Sequence, residues 1–126
     1  MARVRIRRVY DTPTPEDGRR ILVDRIWPRG LTREAAAIDA WVRDVAPSTA
    51  LRKWFGHDPA RWDEFARRYR QELETHPAAV QALVDAVGEG PATLVYGARD
   101  EAHNQAVVLQ QILDERLAKA EGSQPE

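Results

Sequence analysis

The sequence predicts an α/β domain, a small three-layer α/β/α sandwich with a central, at least partly parallel sheet. Three observations point there. Ile21-Leu22-Val23 and Thr93-Leu94-Val95-Tyr96 are uncharged, largely apolar runs, as strands covered on both faces require. Amphipathic helical patterns lie between and after them. Each run is followed at its carboxyl end by an acid next to an arginine, as Asp24-Arg25 and Arg99-Asp100.

In chain order, Val4, Ile6, Val9 and Tyr10 suggest a first strand with Arg3, Arg5 and Arg7 on its other face. Residues 11–18, DTPTPEDG, form a loop, because two prolines among turn formers forbid a regular element. After the strand at Ile21-Leu22-Val23, Trp27-Pro28-Arg29-Gly30 is a second loop, and Thr32 caps a short helix over Arg33 to Ala37. Ile38 to Ala46 alternates in a way that fits a strand slightly better than a helix. Ser48 or Thr49 then starts a short helix that stops near Gly56.

The pair Asp58-Pro59 is an N-cap followed by proline at the first helical position. The helix it opens presents Trp62, Phe65, Ala66, Tyr69 and Leu73 on one face, with Asp63/Arg67 and Glu64/Arg68 as outer pairs. Pro77 opens another helix, with Val80, Leu83, Val84 and Val87 inward, and Gly88 and Gly90 close it. A last helix is expected from Glu101 to Ala120. Residues 1–120 thus make one domain, and 121–126 a frayed, disordered tail. The competing arrangement is an α+β fold in which the strands near residues 4 and 21 pair antiparallel across the 11–18 loop.

Composition narrows the function classes. The 126 residues suffice for one core, with 43% hydrophobic and 31% charged residues. No cysteine is present, which rules out a disulfide framework, a thiol nucleophile and a Cys-ligated zinc, and fits the cytoplasm as the expected location. No apolar run approaches the ~20 residues that span a bilayer, so no membrane partner is expected. Residues 1–33 hold nine arginines against four acids, and residues 34–126 hold ten basic against sixteen acidic residues. That asymmetry suits an anion-attracting surface on a nearly neutral chain. The net charge of −1 and pI of about 6.3 argue against nucleic acid as a partner.

Four segments carry a resemblance: RVYDTPTPEDG at 8–18, LVDRIWPRGL at 22–31, APSTALRKWFGHDPARW at 46–62 and LVYGARDEAHNQAVVL at 94–109. Together they resemble the YeaO-like branch of domain-of-unknown-function family 488. The resemblance implies a small three-layer α/β fold and no settled activity. Some members carry N-terminal cysteines, which this chain lacks, so thiol chemistry does not transfer. The transcription-regulator label of some relatives finds no winged-helix pattern here.

Ligands of such sheets sit beyond the carboxyl ends of the strands. Arg25, Arg29 and Arg99 are therefore the anion-binding candidates, supported by Asp24, Trp27, Tyr96, Asp100 and Asn104. A helix N-terminus beside them would add free N–H groups, and guanidiniums bind carboxylate or phosphate in a bidentate way. The plainer alternative is that Asp24 and Asp100 neutralise the arginines in an ion-pair network that only fixes loops. His57 and His103 are the candidate proton carriers, although each also reads as an ordinary loop or surface imidazole. His76 reads only as a helix-entry residue.

No metal is expected, because the three histidines lack ligand spacing, and no cofactor, because no nucleotide-binding glycine loop occurs. Two functions remain. One is the binding, with turnover left open, of a small phosphate- or carboxylate-bearing ligand. The other is a non-enzymatic nucleic-acid or protein-partner module using Arg3, Arg5, Arg7, Arg8, Arg19 and Arg20. Oligomeric state and ligand identity are not legible in the sequence.

Overall fold

A computed structural model describes residues 4–122. Four strands, β1 (Val4–Arg8), β2 (Arg19–Leu22), β3 (Ala40–Trp41) and β4 (Ala92–Tyr96), form one sheet in the order β1-β4-β2-β3. Every pairing is parallel. Five helices accompany it: α1 (Arg33–Ala36), α2 (Thr49–Phe55), α3 (Trp62–Glu74), α4 (Pro77–Val87) and α5 (Gln105–Gly122). Residues 123–126 of the expected tail, and Arg3 of the expected first strand, lie outside the described residues.

Strand alternation sorts the core into two layers. Val4, Ile21, Ala92, Leu94 and Tyr96 face the larger one, which packs against α2, α3, α4 and α5. Val9, Leu22 and Val95 face a smaller one with Ala36 of α1 and the partly buried Trp27, Leu31, Ile38 and Trp41. The three-layer expectation holds, with a thin third layer. β2 and β4 are interior strands, as their apolar runs predict, and both are buried on both faces.

The antiparallel pairing of β1 with β2 does not form, because β4 lies between them and pairs parallel with each. The chain from β1 must therefore return to the start of β2 along the thin face, and segment 11–18 does so. Asp17 at its end is fully buried and bonds Arg7 and Arg20, which project from β1 and β2 on that face. Thr93 of β4 closes the junction by donating its hydroxyl to the Asp17 carbonyl at 2.8 Å. Gly18 follows at φ 61°, and a Cβ there would lie 2.1 Å from the Pro91 carbonyl oxygen, so only glycine allows this approach.

Local signals set most helix ends. Thr32 accepts from Ala35 N–H, Ser48 accepts from Leu51 N–H, and Gly56 ends α2 in the left-handed region. Asp58 caps a 3-10 turn, Pro59–Arg61, that runs into α3. On α3, Phe65, Tyr69 and Leu73 are buried, whereas Trp62 and Ala66 are only half-buried. The expected Glu64/Arg68 pair forms, and Glu64 also takes Arg67 in place of Asp63.

Three segments differ from expectation. Pro15–Asp17, inside the expected loop, forms a 3-10 turn, because proline at the first position gives up only an N–H that would be unbonded there. Within Ile38 to Ala46 only Ala40–Trp41 joins the sheet, and Arg43–Val45 forms a 3-10 turn. The buried Tyr69 hydroxyl donates to the Val45 carbonyl and holds the chain off the strand line. The last helix starts at Gln105 instead of Glu101. Asp100 captures the N–H groups of Ala102 and His103, and Asn104 Oδ1 then accepts from Ala106 and Val107 N–H as the true cap. Asn104→Ala is expected to lower the unfolding free energy by about 1–2 kcal/mol. An unchanged urea midpoint would mean that the helix start does not depend on this cap.

Candidate functional site

Parallel strands β2 and β4 are neighbours whose chains leave in opposite directions. β2 continues toward α1 on the thin face, and β4 continues toward α5 on the thick one. A crevice opens at the carboxyl edge of a sheet where this happens. A cleft of about 810 Å³ lies there, and Asp24 after β2, Gly97 after β4 and Tyr10 after β1 all line it.

The junction is tightly held. Gly97 N–H donates to Asp24 Oδ2 at 2.8 Å, and the Gln105 amide donates to Oδ1. A Cβ at Gly97 would sit 2.9 Å from the same carboxylate, so any side chain there would push Asp24 aside. Burial pushes the Asp24 carboxyl above its ordinary value, against the pull of these two donors and of the Arg52 charge. Its backbone carbonyl accepts from Trp41 Nε1 at 2.7 Å, which ties the loop to β3.

The structure brings together Arg25, Arg29, Trp27, Asp24, His57, His103 and Asn104 on the cleft wall. Arg99 is exposed and is not among the lining residues, because the chain turns outward at Ala98 to form the Asp100 turn. Tyr96 is buried beneath the wall and Asp100 stands outside it. In their place α2 supplies Thr49, Arg52 and Lys53. The sequence did carry a sign of these cations. They sit in the last turn of a short helix, where basic residues complement the helix dipole, and that role hides any other.

Neither aspartate pairs with the arginines. Asp24 is engaged by Gly97 and Gln105, and Asp100 accepts from Ala102 N–H, His103 N–H and His103 Nδ1. Among the described residues no salt bridge involves Arg25, Arg29, Arg52 or Lys53. Arg25 spends one donor, Nη2 on the Ala46 carbonyl at 3.3 Å, and its Nε is buried without a partner. The cleft thus holds four cations and one carboxylate, Asp24.

The aromatic side of the wall is continuous. Phe55 stacks on Phe65 at 4.4 Å between centroids and lies 6.3 Å from the His57 ring. His57 is exposed and adopts φ 57°, a left-handed conformation uncommon for a residue with a side chain. His103 is oriented by its 2.9 Å bond to Asp100 and by edge contact with Trp62 at 5.3 Å. The bond from His103 holds the Asp100 carboxyl below its ordinary value, helped by Ala102 N–H. Trp27 donates Nε1 to the Leu31 carbonyl at 2.8 Å and meets Trp41 edge-on, which fixes the loop that carries Arg25 and Arg29.

Among the described N-terminal arginines, Arg7, Arg8 and Arg20 are engaged within the fold instead of standing on a flat basic face, and Arg3 lies outside the described residues. Arg20 is only 3% exposed and bonds Asp17 and the Ala36 carbonyl. Arg7 donates from Nη1 to both carboxylate oxygens of Asp17, and Arg8 donates to the carbonyls of Gly97 and Ala98. Arg5 and Arg19 are exposed. Among the described residues no group of three or more His, Asp or Glu side chains could hold a metal, and no helix is long and apolar enough to cross a membrane.

The family described as the inactive DUF488-N3 subclade matches residues 3–126 of this chain. An uncharacterized protein of Mycobacterium tuberculosis strain H37Rv is 46% identical over 114 residues, covering 90% of this chain and 96% of that protein. The uncharacterized protein YeaO of Escherichia coli K12 is 40% identical over 106 residues, covering 84% and 92%. No solved structure matches significantly.

Proposed function

We propose, from the premise that this chain belongs to the DUF488 family and to its inactive N3 subclade, that it binds a small phosphate- or carboxylate-bearing ligand in the cleft at the carboxyl edge of the sheet. One observation carries the reading: Arg25, Arg29, Arg52 and Lys53 surround a concave space with no carboxylate bridging any of them. Four cations lining one cleft with a single, part-buried carboxylate repel one another, and an anion among them reduces that cost while gaining charge-assisted hydrogen bonds. The Arg25 Nε adds a buried donor that no group among the described residues satisfies. The subclade's description as inactive favours binding over turnover. His57 and His103 then serve as ring walls and hydrogen-bond donors, not as acid and base.

Phosphate or sulfate is expected to raise the melting temperature of the wild type by several degrees over chloride at matched ionic strength, since a ligand of the native state stabilises it by mass action. Arg52→Ala removes an exposed cation from the wall and is expected to lose most of that rise. Arg99→Ala, outside the cleft, is expected to keep it. The same response in all three proteins would overturn the reading.

A further inference from the structure

We infer that the anion taken by this cleft also carries a planar aromatic ring, which stacks on Tyr10 at the mouth and is covered by Ile26; the inference rests on the anion reading above. Among the described residues the exposed large hydrophobic side chains are Tyr10, 42% exposed, and Ile26, 68% exposed. Both line the cleft. A lone exposed apolar residue is ordinary on a protein surface, but two converging on one concave site with four cations are a binding feature.

Tyr10 is also held as a fixed platform. Its hydroxyl donates to the Arg29 carbonyl at 3.0 Å, and the Arg8 guanidinium lies 5.1 Å from its ring centroid. Arg8 is in turn pinned by Nε to the Ala98 carbonyl at 2.9 Å and by Nη2 to Gly97. A ring restrained in this way loses little freedom when a second ring stacks on it, and the guanidinium beside it strengthens the stack. Because Tyr10 hangs on the backbone of Arg29, the platform and one of the cations share a loop. Ring and anion therefore belong to one small molecule, of the class of nucleoside monophosphates or aromatic carboxylates.

The test compares dissociation constants of matched probes by calorimetry: AMP against ribose 5-phosphate, and benzoate against acetate, with inorganic phosphate as reference. At least one ring-bearing probe is expected to bind about tenfold or more tighter than its ring-free partner, the scale of one stacked ring, and the pair that shows it separates nucleotide from aromatic acid. Tyr10→Ala and, separately, Ile26→Ala are expected to shrink that ratio severalfold, each ratio being taken against the ring-free partner in the same variant so that any loosening of Arg29 cancels, and Tyr10→Phe, which keeps the ring, to retain most of it. Equal affinities within both pairs, or a ratio that survives both alanine variants, would overturn the inference and leave the anion site standing. Absence of binding by every anion would instead overturn the anion reading, and the ring with it.

Discussion

Asp17→Asn is expected to cost about 3–5 kcal/mol of stability, a large share of what a domain of this size possesses. Asp17 is fully buried and holds two guanidiniums: Arg7 Nη1 at 2.8 and 2.9 Å, and Arg20 Nη1 at 2.7 Å. Thr14 adds its N–H at 3.2 Å and its hydroxyl at 3.1 Å. The amide is isosteric, so the loss is chiefly one of charge. Arg20, buried and already with Nη2 unpaired, is left without its counterion. The consequence reaches the fold, because this junction is what returns the chain across the thin face from β1 to β2.

The same site gives a pH signature. Burial alone would push the Asp17 carboxyl up; the bonds from Arg7, the Thr14 amide, Arg20 and the Thr14 hydroxyl outweigh it and bring it from 3.8 to about 2. A folded value below the unfolded one means that this stabilisation is complete above pH 3.8 and is lost as pH falls toward 2. The stability gap between wild type and Asp17→Asn should therefore narrow across that window in acid unfolding. A gap independent of pH would show that the carboxylate charge is not what holds the junction.

Phe65→Ala is expected to cost about 3–5 kcal/mol through the cavity it leaves. The ring is 2% exposed, stacked on Phe55 at 4.4 Å and 5.7 Å from Tyr69, so its neighbours are rings that cannot easily collapse into the space. Trp62→Ala, by contrast, removes a half-buried ring and is expected to cost less, although the tryptophan is larger. Urea midpoints of the two variants check the order. A Trp62 variant less stable than the Phe65 variant would place the centre of this face at Trp62.

What the sequence determined by itself was set by short-range physics. The bounds of α2 follow from Ser48 and Gly56, and the entry to α3 from Asp58 and Pro59, each acting on backbone within a turn. The interior positions of β2 and β4 follow from runs with no polar face to offer water. Because a parallel sheet presents its loops at one edge, these strands also put Arg25, Arg29 and His103 on one cleft.

Only the tertiary structure decided which charge meets which. Asp24 could have paired with Arg25 next to it, but Gly97 N–H, 73 positions along the chain, reaches it first. Asp17 draws Arg7 and Arg20 inside, which removes them from any basic surface, and Asp100 turns inward on its own loop and leaves Arg99 outside the cleft. Arg52 and Lys53 join the wall because α2 packs beside strand ends that lie far from it in sequence. Capping and periodicity act over a few residues and can be read from them. The partner of a charge depends on which distant donor the packed core brings within hydrogen-bonding distance, and no local pattern encodes that distance.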